Sequence, residues 1–178
     1  GGAAIVAEHG HALGARADFF SVIGDDAAGA FVRDHARGLG VHYHLLSDPS
    51  RPTTVKQRFL ASGKKLLRVS YLEERPISET LAEELIQAVR SHIDALDLII
   101  MSDFSYGVAS TQIREGVCAL AREHGVSVTA DVQCSSQIAT VAKYRNIDLI
   151  TPTEREARMS LWDTDSALTD IGIRLLEA

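Results

Sequence analysis

From Leu96 onward the chain alternates short apolar runs with helical periods, and few architectures accommodate that rhythm. Apart from Asp97, Leu96 to Met101 is an apolar run, the pattern of a strand covered on both faces. A loop from Ser102 to Ser110 leads into a helical period over Thr111 to His124, then a strand over Val126 to Ala130. A loop and helix over Cys134 to Tyr144, a strand over Ile147 to Ile150, a helix from Thr153 and another over Asp165 to Leu176 follow. Strands separated by helices imply parallel pairing with helices on both faces. The fold class is therefore α/β, a three-layer sandwich with a mostly parallel central sheet.

The first half varies this theme. Ala3, Val6, Ala7, Gly10 and Leu13 recur at three- and four-residue steps, marking one buried helix face. Phe19 to Ile23 is β-rich and ends at Gly24; Asp26 to Leu39 reads as a helix. His42 to Leu46 reads as a strand that Asp48-Pro49-Ser50-Arg51-Pro52 breaks. Thr53 to Leu60 and Leu66 to Tyr71 flank Ala61-Ser62-Gly63-Lys64, the mark of a hairpin with a Gly-containing turn. This hairpin falls outside the strand–helix rhythm and reads as a small antiparallel insertion over about residues 41–75. Ser78 supplies an N-cap for a helix over Glu79 to His92. Because the chain opens and closes on helices, the expectation is one partial domain over residues 1–178, cut at both ends, with a strand preceding Gly1.

Composition excludes several classes. The 178 residues are 46% apolar and 24% charged, a globular balance. Lys and Arg total 18 against 24 Asp and Glu, for a net charge of -6, which argues against nucleic acid and anionic membrane surfaces. Uninterrupted aliphatic stretches such as Leu98-Ile99-Ile100-Met101 are far too short for a membrane span, and no secretory leader is visible. Cys118 and Cys134 cannot build a disulfide framework, so a reducing cytoplasm is the expected location.

In a parallel α/β sheet, ligands gather beyond the carboxyl ends of the strands. Four polar or Gly-rich loops fall there, at residues 24–29, 102–107, 131–136 and 151–156. Each has a structural alternative. Asp25 and Asp26 either face a ligand or cap a helix. Asp103 with Gly107 fits a turn, but an aspartate directly after an apolar strand favours function. Ser135 and Ser136 suit helix caps. Cys134 shares that helix start but has no identifiable His and acid partner, which weighs against a nucleophile. His42 and His44 share a strand face, and His9 and His11 lie on a helix. Neither pair has a third ligand at a suitable spacing, so no zinc is expected. Lys56 and Arg58 stand two apart on one strand face, which Arg68 can join; that face suits a sugar phosphate or simply solvent. No G-x-x-x-x-G-K-[ST] phosphate loop is present, and no G-x-G-x-x-G follows a strand. Asp103-Phe104-Ser105 lacks any protein-kinase catalytic-loop companion.

Taken in order, these motifs resemble those of the ribokinase-like (PfkB) carbohydrate kinases, and most closely the D-glycero-β-D-manno-heptose-7-phosphate kinases. Gly1-Gly2-Ala3-Ala4-Ile5-Val6-Ala7 is similar to a Gly-Gly-Ala-Ala-Asn-Val-Ala sugar-binding turn, and Gly24 to Gly29 to G-x-D-x-x-G. Asp48 to Arg58 followed by Leu66-Leu67-Arg68 resembles the heptose-kinase lid. Ser102-Asp103 with Gly107-Val108 resembles Ser-Asp-Tyr-x-Lys-Gly, and Thr151-Pro152-Thr153 through Glu156 resembles Thr-Pro-Asn-x-x-Glu.

The resemblance implies a ribokinase-like sandwich with a β lid and transfer of the ATP γ-phosphate to a sugar or sugar phosphate, with Mg2+. It assigns the sugar to Gly1, Gly2, Asp25 and Asp103, a substrate phosphate to Lys56 or Arg58, and the nucleotide side to Thr153 and Glu156, with Glu156 ordering metal-bound water. It also implies a cytoplasmic homodimer joined through the lid over Thr53 to Tyr71. The chain departs from the pattern: Ile5 replaces Asn, Tyr106 replaces Lys, Val132-Gln133 replaces Pro-Lys after Asp131, and Thr153 replaces Asn. The Gly-Ala-Gly-Asp stretch carrying the anion hole and catalytic base is expected beyond Ala178, so the chain alone should be at best a very poor kinase. The substitutions at Ile5, Gln133 and Thr153 equally suit a non-catalytic, pseudokinase-like binding or assembly module.

Overall fold

The computed structural model describes residues 1–36, 40–133 and 140–177. The C-terminal end of the helix read over Asp26 to Leu39 lies outside the described residues, as do Cys134, Ser135 and Ser136. The chain gathers into two compact units, Gly1–Arg75 and Pro76–Ala178. Among the described residues the parallel strands form a ladder of two in the first unit and a ladder of three in the second.

The first unit runs α1 (Gly2–Ala12), β1 (Asp18–Gly24), α2 (Ala27–Ala36), β2 (His42–Asp48), β3 (Val55–Ala61) and β4 (Lys64–Tyr71). β1 and β2 pair in parallel from Asp18 with His42 to Gly24 with Asp48, around buried Val22, Ile23 and Val41. Two registered ring pairs fasten the ladder: Phe19 meets Tyr43 edge-on at 5.2 Å, and Phe20 stacks on His44 at 4.4 Å. The Tyr43 hydroxyl donates to Glu8 on α1 at 2.8 Å; burial and that carboxylate push its pKa up to about 12. The two imidazoles read on one strand face both turn to Asp18, whose Oδ1 lies 3.5 Å from His42 and 3.0 Å from His44.

Two sequence boundaries shift here. The helix expected from Asp26 begins at Ala27, because the Asp26 carboxylate accepts the Gly29 N–H and caps the first turn. The insertion expected from about residue 41 begins only after Asp48, because residues 42–48 belong to the parallel ladder. β3 and β4 then pair antiparallel through a two-residue turn, with Ser62 at φ 49 and Gly63 at φ 73. Positive φ at both central residues makes a type I′ turn, whose twist matches its strands, so both strands run closer to the turn than the sequence suggested, while β3 begins at Val55 rather than Thr53.

The second unit runs α3 (Glu79–Arg90), β5 (Leu98–Asp103), α4 (Thr111–His124), β6 (Ser127–Val132), β7 (Leu149–Ile150), α5 (Glu154–Leu161) and α6 (Leu168–Glu177). The sheet order is β5-β6-β7, all parallel. Ser78 and Ser110 cap α3 and α4 by accepting the Leu81 and Ile113 N–H groups, and Gly125 ends α4 in the left-handed region at φ 69. Ala82, Leu85 and Val89 on α3, with Ile113, Val117, Leu120 and Ala121 on α4, form the helical half of the core. Met101, Val128, Ala130 and Val132 form its sheet half.

β5 is not covered on both faces as its apolar run suggested. Leu98 and Ile100 remain 49% and 50% exposed, whereas Met101 and Asp103 are buried. The strand pleat turns alternate residues to opposite faces, and hydropathy alone cannot say whether both faces find cover. The helix expected before Tyr144 is, in its described part, a single 3-10 turn at Val141–Lys143. α6 begins at Leu168 rather than Asp165, because the Asp163 carboxylate accepts the Asp165 and Ser166 N–H groups and holds a turn ahead of it.

Candidate functional site

In the second unit, the loops after β5, β6 and β7 share the carboxyl edge of one parallel ladder. Asp103 closes β5 opposite Val132, and the Gln133 N–H donates to the Asp103 carbonyl at 2.8 Å. Asp131 accepts from Gln133 Nε2 at 3.3 Å and from the Thr151 hydroxyl at 3.5 Å.

Asp103 is only 3% exposed, and its carboxylate is engaged within the chain. Oδ1 accepts the Ser105 N–H at 2.7 Å. Oδ2 accepts the Tyr144 hydroxyl at 3.0 Å and faces Lys143 Nζ at 2.6 Å. Burial and the Asp103 carboxylate drive the Tyr144 phenol far above its ordinary pKa, so it remains a hydrogen-bond donor. Arg114 and Lys143 lie over the Tyr144 ring at 5.6 and 5.7 Å. Beside this node, the Ser102 and Ser105 hydroxyl oxygens are buried without a hydrogen-bond partner among the described residues. Two orphaned hydroxyls at a strand end suit a hydroxylated ligand or bound water.

Thr153 and Glu156 meet at the start of α5 as a reciprocal capping box. The Thr153 hydroxyl accepts the Glu156 N–H at 3.3 Å, while the Glu156 carboxylate accepts the Thr153 N–H and hydroxyl at 2.8 Å each. A carboxylate at a helix N-terminus is a hard oxygen donor of the kind Mg2+ takes, next to peptide N–H groups that attract phosphate.

In the first unit, the G-x-D-x-x-G turn joins β1 to the hairpin root. Asp25 is exposed. Asp26, the aspartate at the motif's D position, accepts Gly29 N–H at 2.7 Å and Thr53 N–H at 2.8 Å, and these bonds hold its carboxyl below the ordinary range. Thr53 is buried, and its hydroxyl accepts the Gly24 N–H at 2.9 Å. Both glycines are required by close approach. A Cβ on Gly24 would fall 2.5 Å from the Arg51 carbonyl, and one on Gly29 would fall 2.3 Å from the Gly24 carbonyl. Next to this turn, Asp48 accepts from Ser50 and pairs with the buried Arg51 guanidinium at 2.8 Å, while Arg51 also donates to the Arg75 carbonyl at 3.0 Å.

The hairpin has two unlike faces. Arg58 stands directly opposite Arg68, and Lys56 opposite Ser70, so the basic residues share one face as their spacing implied. Val55, Phe59, Leu67 and Tyr71 occupy the other face and are exposed. Gly1 and Gly2 open the chain, with Gly1 as N-cap of α1 and nothing within 4 Å of a Cβ built there.

Sequence reasoning singled out Asp25 of the turn, where Asp26 makes the connections, although the motif spacing already pointed to Asp26. It missed Lys143 and Tyr144 entirely; they sit about 40 residues from Asp103 and carry no local signal.

Comparison with known proteins follows the same outline. The chain is 35% identical over 159 residues to the bifunctional protein HldE of Bradyrhizobium sp. (strain ORS 278), covering 88% of this chain and 32% of the relative. It is 32% identical over 182 residues to HldE of Geobacter sulfurreducens, covering 99% of this chain and 36% of the relative. The chain thus spans about a third of the length of the curated relatives it matches. Arabidopsis thaliana ribokinase complexed with ribose and ATP superposes with a TM-score of 0.68 at 18% identity, over 96% of this chain and 55% of that one, which shows a shared ribokinase-like α/β fold. The pfkB family carbohydrate kinase model matches residues 1–171, and the chain belongs to that family.

Proposed function

We propose that the protein carrying this chain is an ATP- and Mg2+-dependent sugar kinase that phosphorylates a heptose 7-phosphate-like substrate. The observation that carries this reading is the gathering of the Ser102–Gly107, Asp131–Gln133 and Thr151–Glu156 loops on one strand edge, with two orphaned buried hydroxyls there. Glu156 and Thr153 would hold the nucleotide side from the α5 N-terminus. Lys56 and Arg58, with Arg68 opposite, would hold the substrate phosphate, because like charges facing across a ladder are costly until an anion bridges them. Gly1, Gly2 and Asp25 would line the sugar. Asp103 contributes by ordering its loop through Ser105 and exchanges Lys143 or Tyr144 for sugar hydroxyls when substrate arrives. When bound, Mg2+ neutralises charge on the transferring phosphoryl group. A cytoplasmic homodimer paired through the apolar hairpin face completes the reading.

A second reading, a non-catalytic binding or assembly module of the same fold, draws support from the internal closure of Asp103 and from Ile5, Gln133 and Thr153. Calorimetry of the full-length protein with ATP–Mg2+ and with heptose 7-phosphate, alongside an ADP-release assay, separates the two. Binding of both with turnover supports the kinase. Binding of neither nucleotide nor sugar phosphate overturns it.

A further inference from the structure

The functional reading leaves Asp26 without a task, yet it is the best-connected carboxylate at the hairpin root. It joins two backbone N–H groups 24 residues apart in sequence, those of Gly29 and Thr53, while Thr53 returns a bond through its hydroxyl to Gly24. The turn after β1 and the entry to β3 are thereby closed into one ring of three hydrogen bonds. The absent Cβ atoms of Gly24 and Gly29 permit that closeness. The ring lies beside the Asp48–Arg51 pair, which holds the exit of the insertion at Arg75. Arg58 lies five residues beyond Thr53, roughly 17 Å along an extended strand. A tilt of about 10° at the root would move it by roughly 3 Å, a full hydrogen-bond length.

We propose that Asp26 is a positioning residue: its carboxylate bolts the root of β3 to the β1–α2 turn and thereby sets where the Lys56–Arg58–Arg68 face meets an anionic substrate. This rests on the reading of that face as a phosphate-holding surface and adds the element that aims it. A carboxylate suits the task because two oxygens accept two N–H groups at once, whereas an amide offers one oxygen and a donor in place of the other. Asp26→Asn therefore breaks one of the two backbone bonds with almost no change in shape.

The test uses the full-length protein and two readouts, amide hydrogen exchange and calorimetry with a heptose 7-phosphate and the same heptose lacking its phosphate. Asp26→Asn is expected to speed exchange at Thr53 and along β3 and β4 by roughly tenfold. It should weaken the phosphorylated sugar by roughly tenfold while leaving the unphosphorylated sugar within about twofold. Thr53→Val, which removes the hydroxyl bonded to the Gly24 backbone but keeps the N–H bonded to Asp26, should show the same selectivity in weaker form, and Thr53→Ser should restore it. Equal weakening of both sugars, or unchanged exchange at Thr53 in Asp26→Asn, overturns the proposal. If the wild-type protein binds no sugar phosphate, the phosphate reading fails; exchange then decides the bolt alone, and unchanged rates sink it too.

Discussion

Asp103 takes its counter-charge from Lys143 and its second donor from Tyr144, and the two partners are not equivalent. Removing the ammonium strands a buried carboxylate, whereas removing the phenol hydroxyl costs one neutral donor. Lys143→Met should therefore destabilise the chain by about 3 kcal/mol and Tyr144→Phe by about 1 kcal/mol, read from urea melts. Equal losses would contradict the assignment of the ion pair. Asp48 offers a pH readout. Its bonds from Ser50, and then the Arg51 charge, hold its pKa below the ordinary 3.8 in the folded chain. A depressed carboxylate stabilises fully above its unfolded value, and that contribution disappears as pH falls through the folded one. Stability should thus drop below about pH 4, and Asp48→Asn should flatten that acid limb while lowering stability near neutrality.

At the scale of elements, capping chemistry and turn chemistry account for most of the boundaries. Ser78 starts α3 where the sequence placed a cap, and Ser110 and Thr153, not read as caps beforehand, start α4 and α5 in the same way, each hydroxyl accepting an N–H of the first turn. Thr153→Ala should lower stability by about 1 kcal/mol through loss of the capping box, measurable as a fall in Tm. The hairpin turn is more demanding. Gly63 sits at φ 73, so Gly63→Ala should cost about 1 kcal/mol, whereas Ser62→Asn at φ 49 suits the same turn and should be neutral or stabilising. Equal effects of the two substitutions would argue against a type I′ turn. The two faces of the hairpin were half visible in advance, since Lys56 and Arg58 obey the strand period. The direct opposition of Arg58 and Arg68 required the register, which the two-residue turn and the one-residue shift between Phe59 and Leu60 set together.

At the scale of the whole molecule, the exposed apolar row of Val55, Phe59, Leu67 and Tyr71 motivates the proposed dimer. Phe59→Lys paired with Leu67→Lys should convert a dimer to a monomer in sedimentation at micromolar concentration. An already monomeric wild type would remove the proposal. Family, fold class and the order of the elements were legible in the sequence. Strand and helix periods, caps and glycine turns are local signals, and the motifs that carry the family lie in short contiguous stretches. Burial of β5 was misjudged because an apolar run reports what a strand can bury, not which of its faces is met. The closure of Asp103 by Lys143 and Tyr144, and the bolt from Asp26 to Thr53, were decided only by tertiary structure. Each joins residues far apart in sequence, and hydrogen-bond partners at such separations are chosen by how the chain returns on itself rather than by any pattern along it.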